Sequence, residues 1–291
     1  MHPLPNGLYD LLLDTDLHSQ VADLLERGSA SIEKLPPLQR RHRLAAEIAR
    51  LLPELLDAIS EAGEQDESET RELVVINQLL AMIRRQGVET PGLQPPISTR
   101  RAIHREGAAQ PHPPTGLTAP WLFTAGRADP SLFAELRAEL AATDRVDILV
   151  SFITWSGLRK LWDVLESITA VGANGQPRTQ IRVITTTYIG ATEARAVEAL
   201  AKLPGVELRI SLDGRRSRLH AKAWIFHRKT GFGTAFVGSA NLSAAALLGG
   251  IEWTVKFTQI GQTDLYAAAE AHFETLWNDA EFQHFDVADS T

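Results

Sequence analysis

The spacing of apolar and polar positions divides the chain into three stretches. Up to residue 86 the apolar residues return at helical intervals. After the short apolar run Leu8-Tyr9-Asp10-Leu11-Leu12-Leu13, Asp14-Thr15-Asp16 offers a cap to a helix over 17–27 with Val21, Leu24 and Leu25 on one face, and Gly28 supplies its stop. Leu44, Ile48, Leu51, Leu52, Leu55 and Ile59 predict a second helix from Pro37 to Ala62, in which Pro53 predicts a kink or a break. Leu73, Ile76, Leu79, Leu80 and Ile83 predict a third, over 70–85. The periodicity then stops. Residues 87–120 hold Pro91, Pro95, Pro96, Pro111, Pro113, Pro114 and Pro120 and read as a linker. The expected organisation is a helical domain over 1–86, the linker, and a second domain over 121–291.

In that second domain the rhythm changes. A helix capped by Asp129-Pro130 is followed by a buried strand over 146–152 and a helix over 156–171. A strand over 180–186, a helix over 192–203 and a strand over 206–211 come next. This β-α-β-α-β alternation predicts an α/β fold with a mixed, largely parallel sheet and helices on both faces. A hairpin, His220–His227 and Thr234–Val237 about a Gly-bearing turn, comes after it. A short helix over 242–248, a strand over 251–257 and a helix over 263–279 complete the pattern.

Composition narrows the chemistry. Zero Cys in 291 residues removes disulfides, thiolate zinc sites and a Cys nucleophile, and suits the cytoplasm. No apolar run is long enough to span a bilayer, and the opening residues do not form a signal peptide, so no membrane association is expected. No Gly-Lys pair occurs, which leaves no P-loop. His2, His18, His42, His104, His112, His272 and His284 lack metal-ligand spacing. The net charge of −7 is unevenly spread: residues 1–119 hold 12 Lys+Arg against 17 Asp+Glu, whereas residues 205–256 hold 8 against 3. An anionic ligand is expected near the second stretch.

That basic stretch contains Arg218-Leu219-His220-Ala221-Lys222-Ala223-Trp224 and then Gly238-Ser239-Ala240-Asn241. On a strand, His220 and Lys222 point to one face. An imidazole nucleophile, a cation and a cluster of hydroxyl and amide donors suit attack on a phosphodiester. Arg215, Arg216 and Arg218 read either as a phosphate path or as a solvated loop. Tyr188 reads as a base-stacking or a packing residue. Trp224 and Trp253 read as core, and His227 as a hairpin residue.

These residues resemble the phospholipase D superfamily, whose signature is His-x-Lys, then an Asp, then Gly-Ser-x-Asn. The closer resemblance is to the phospholipase-D-like domain at the N-terminus of bacterial superfamily 2 DEAD/DEAH-box helicases. It runs through 147–153, 185–193, 218–224 and Ile251-Glu252-Trp253, and covers about 121–280. The resemblance implies a nuclease-type phosphodiesterase needing neither metal nor cofactor and acting on nucleic acid, DNA in particular. His220 would attack to form a phosphohistidine. Because the motif occurs once, His220 of a second subunit in a homodimer would serve as general acid and then base. Lys222, Ser239 and Asn241 would bind the non-bridging oxygens, and Glu252 would hold the imidazole. The implied setting is helicase-linked DNA processing or phage defence, with a helicase module in the same protein or as a partner. A catalytically degenerate DNA-binding or dimerisation module is the alternative. Three departures from the signature stand out: His227 occupies the Asp position, ten residues separate it from Gly238, and Gly250 replaces an Asn.

Overall fold

A computed structural model describes residues 22, 24–26, 32, 34–62, 67–98, 111–124, 130–188, 190–212 and 218–287. Most of the helix expected over 17–27, together with Asp129, Arg215 and Arg216, lies outside them. The chain divides into two compact units, Met1–Arg100 and Arg101–Thr291.

In the first unit, α1 (Pro37–Glu61) packs on α2 (Ser68–Arg85). Pro37 opens α1, where its missing N–H costs nothing. The helix continues through Pro53 without the expected break. Arg84 and Arg85 close α2, placing cations at the negative end of its dipole. The Pro-rich segment then folds back on α2. Asn77 donates to the Leu93 carbonyl at 2.9 Å and accepts from its N–H at 2.8 Å, while the Thr90 hydroxyl donates to the Leu80 carbonyl at 3.2 Å.

The second unit is built on one sheet. Its elements are β1 (Trp121–Phe123), α3 (Leu132–Ala141), β2 (Arg145–Leu149), α4 (Trp155–Thr169), β3 (Gln180–Thr186), α5 (Ala194–Ala201), β4 (Val206–Ser211), β5 (Ala223–His227), β6 (Thr234–Gly238), α6 (Ala244–Leu248), β7 (Thr254–Thr258), α7 (Thr263–Trp277) and β8 (Gln283–His284). The eight strands lie in the order β1-β7-β6-β5-β2-β3-β4-β8. The α/β class, the mixed sheet and the helices on both faces match the expectation; the strand polarity corrects it. Only β2–β3 and β3–β4 pair parallel, and the other five pairings are antiparallel. A parallel neighbour needs a crossover of a dozen or so residues, usually a helix. Helices α4 and α5 provide two such crossovers. After β4, strand β5 enters antiparallel beside β2.

The Thr154 and Ser131 side chains cap α4 and α3, accepting from Gly157 N and Ala134 N. Leu136, Leu140, Leu158, Leu161 and Leu165 pack with Val146, Ile148, Trp224, Phe226 and Phe236 on one face of the sheet. Tyr266, Phe273 and Trp277 of α7 pack with Leu149, Ile184, Ile225 and Ala235 on the other. Among the described residues no helix is long and apolar enough to cross a membrane.

A charge cluster lies within the first of these layers. Lys256, Glu135 and Glu139 are all fully buried. The Lys256 ammonium meets Glu135 at 2.6 Å, Glu139 at 2.9 Å, the Thr115 hydroxyl at 2.9 Å and the Gly116 carbonyl at 2.6 Å. Arg228 reaches the other oxygen of Glu139 at 2.5 Å, and the Thr234 hydroxyl donates to it at 2.8 Å. Residues 115–118, within the Pro-rich stretch, are thereby tied to β7 and α3. The cluster also lowers the effective basicity of residues 205–256, because two of its cations, Arg228 and Lys256, are neutralised by α3.

Candidate active site

One end of the sheet gathers the C-terminal ends of β2, β3 and β6 and the N-terminal ends of β5 and β7. Backbone packing explains the motif glycine. A Cβ on Gly238 would stand 2.2 Å from the Trp253 carbonyl and 2.6 Å from Thr254 Cα, so only glycine lets β6 approach the entry to β7. Ser239 N then donates to the Trp253 carbonyl at 3.0 Å, and Trp253 N to Ser239 Oγ at 3.1 Å. The Ser239 hydroxyl donates to the Glu252 carboxylate. Ser239 and Glu252 are therefore held as a pair.

Asn241 is buried. Its Oδ1 accepts from the backbone N–H groups of Ser151 and Phe152 at 3.1 and 3.2 Å, just beyond β2. That double acceptance fixes the amide orientation and leaves Nδ2 as a donor.

Lys222 is 5% exposed. Its ammonium donates to the His220 carbonyl at 2.5 Å. Among the described residues no carboxylate lies within ion-pair distance of it. Burial lowers its pKa below the ordinary lysine value, and the charge of Glu252 partly restores it. Beside it is a small cavity of about 10 Å³, lined in part by Trp224, Gly238, Ala240 and Thr254.

His220 is exposed, and among the described residues its ring has no hydrogen-bond partner. The expected strand does not include it. Pairing with β2 begins at Ala223, so His220 and Lys222 precede β5, one in solvent and the other in the interior. Their connection runs through the His220 carbonyl, and Glu252 engages Ser239 without a bond to an imidazole.

Sequence reasoning missed the hydroxyls of Ser151 and Thr254, buried at this end of the sheet without a hydrogen-bond partner among the described residues. A signal existed for Thr254, a polar residue two places after Glu252 in a strand that faces the core.

Two of the nucleic-acid candidates meet: the Arg218 guanidinium lies 5.8 Å from the centre of the exposed Tyr188 ring. Arg215 and Arg216 fall outside the described residues. Trp224 is core as expected. Trp253 is not: it is 63% exposed, because β7 starts only after it.

His227 sits at the far end of β5. One ring nitrogen is 2.7 Å from Asp147 and the other 3.1 Å from Glu270. Arg182 pairs with both oxygens of Asp147, at 2.7 and 2.8 Å. The carboxylate absent from position 227 is thus present on the neighbouring strand. Burial alone would raise the Asp147 pKa, but hydrogen bonds from Arg182 and His227 outweigh it and hold the group below its ordinary value.

Residues 136–277 match the family model described as cardiolipin synthase, PLD-like domain. No curated protein matches the chain in sequence. Among solved structures the chain is similar to NucT from Helicobacter pylori, at 18% identity over 57% of this chain and 99% of that one, with a TM-score of 0.45. It is also similar to Nuc from Salmonella typhimurium, a phospholipase D family member, at 17% identity over 57% and 99%, with a TM-score of 0.41. A third likeness is to TrmBL2, an archaeal chromatin protein, at 13% identity over 92% and 82%, with a TM-score of 0.34.

Proposed function

From the phospholipase-D-like domain formed by residues 136–277, we propose a metal-independent phosphodiesterase that cleaves nucleic acid, DNA in particular, through a phosphohistidine on His220. The observation that carries this reading is Lys222: a buried cation with no carboxylate partner among the described residues, beside the Ser239–Asn241 turn. A phosphate oxygen supplies the charge the site lacks.

The exposed imidazole of His220 attacks phosphorus, forming a P–N bond as the P–O bond to the leaving group breaks. His220 of a second copy gives that oxygen its proton. The same ring then takes a proton from water as the water oxygen displaces the first imidazole. Lys222 and Asn241 Nδ2 hold the non-bridging oxygens. Glu252 fixes the Ser239 hydroxyl. Arg218 on Tyr188 extends the anionic path beyond the reacting phosphate.

A second copy also has a surface to sit on. Leu122, Val255 and Val237 are exposed and in register across β1, β7 and β6, with Trp253 and Ile251 exposed near Glu252. A contiguous apolar row beside half a site suits a symmetric dimer. A helicase-linked role in DNA processing or phage defence fits the resemblance at 147–153 and 185–193.

The second reading, a DNA-binding module without chemistry, draws on the His220 ring, unpartnered among the described residues, and the engaged Glu252. Labelled DNA incubated with the protein in EDTA separates the two. The enzyme reading expects cleavage that falls by about 10³-fold in His220→Ala while binding persists. Binding without cleavage in the unaltered chain would leave the module.

A further inference from the structure

The helix α1 carries two patterns, an apolar stripe that its contact with α2 leaves exposed and an order of charge along its length. Leu44, Ile48, Leu51 and Leu55 follow one another at intervals of four, three and four, the seam spacing of a coiled coil. Their exposures are 53, 62, 41 and 44%. The contact with α2 falls on another face, where Leu52, Leu56 and Ile59 are half-buried.

The second pattern is charge. Residues 37–49 hold Arg40, Arg41 and Arg43 against Glu47, and residues 50–61 hold Glu54, Asp57 and Glu61 against Arg50. The helix is thus positive at its N-terminal half and negative at its C-terminal half, with no acid in the first turn and no base in the last. This order opposes the helix dipole and destabilises α1 on its own.

We propose that the Leu44–Ile48–Leu51–Leu55 stripe is an interaction surface for the same stripe on a second copy of this chain, the two helices running antiparallel. A two-fold axis between Ala49 and Arg50 sets Leu44 opposite Leu55 and Ile48 opposite Leu51, so the stripe is complementary to itself. The same operation lays the basic half of each helix along the acidic half of the other and brings the dipoles head to tail. A parallel pairing would place like charges together. Pro53 lies outside the seam, where its ring does not obstruct the contact. The seam is only about three turns long, too short to hold a dimer alone, so it adds to another contact rather than replacing it. It does not depend on the chemistry of His220.

The absence of native cysteine makes the test direct. Leu44→Cys and Leu55→Cys versions of the 291-residue chain are mixed and treated with a short bismaleimide. The expected product is the 44–55 heterodimer, with at least ~10-fold less 44–44 product from Leu44→Cys alone. Adding Ile48→Glu and Leu51→Glu to both proteins should remove the heterodimer while circular dichroism stays unchanged, since both positions are exposed. Absence of the 44–55 product, an equal yield of 44–44 product, or crosslinking that survives the two Glu substitutions would each overturn the proposal.

Discussion

Two lysines are buried against the same layer of this sheet, and they live very differently. Lys256 meets two carboxylates, a hydroxyl and a carbonyl. Among the described residues Lys222 has one carbonyl. Desolvating an ammonium costs several kcal/mol unless partners repay it. At Lys256 the fold repays it completely, and the residue serves as structure. At Lys222 the fold leaves the cost partly unmet, which is what a site built for an anion requires.

Exchanging each lysine for a near-isosteric apolar residue sharpens this contrast. Lys222→Met should lower cleavage by about 10²–10³-fold without lowering the melting temperature, because it removes a charge the fold does not need. Lys256→Met should do the reverse. It leaves Glu135 and Glu139 buried beside too little positive charge and costs about 3–5 kcal/mol in denaturant unfolding. Equal melting temperatures for the two variants would break the comparison.

Titration provides a gentler probe. The lowered pKa of Lys222 means that its charge is lost at a pH below the ordinary lysine value of 10.5, so the alkaline limb of a pH–rate profile should fall below that value. Asp147 tests the acid side. Its depressed pKa stabilises the fold fully above the unfolded value, and that stabilisation is lost as pH falls below about 4 toward the folded pKa. Urea unfolding between pH 5 and pH 3 reads this loss, and Asp147→Asn should flatten the slope.

The smallest effect belongs to a surface pair. Hydrogen bonding to Arg137 holds Asp163 down at about 2. Arg137→Ala should bring it back toward 3.8 by NMR titration, yet change stability by no more than about 0.5 kcal/mol because the pair is exposed.

Much of this was legible in the sequence. Helical spacing located α1, α2 and α4, and the β-branched residues Ile181, Val183, Ile184, Thr185 and Thr186 located β3. The site segments were legible because Gly238, Ser239 and Asn241 stand close together at the spacing the resemblance carries, although the groups they engage, Trp253 and the N–H groups of Ser151 and Phe152, lie far along the chain. What escaped was non-local. The polarity of the sheet depends on which edge β5 joins, and no local pattern encodes that choice. Glu135 and Glu139 on α3 look like solvent-facing residues until Lys256 is placed over them. The carboxylate near His227 comes from Asp147, eighty positions earlier, and strand pairing alone brings it there.

The Lys256 cluster also bears on the order in which the second unit assembles. Its groups come from 115–116, from α3, from the β5–β6 hairpin and from β7, and Thr115 and Lys256 are 141 positions apart. Contacts of such long range close late, after the chain entropy of the intervening loop has been spent. Before then α3 has two carboxylates on the face it must bury and no lysine to receive them. Seating α3 before β7 would bury both carboxylates without their lysine, so α3 is expected to dock after β7. The same lysine that neutralises the finished layer therefore sets the condition under which α3 can be covered.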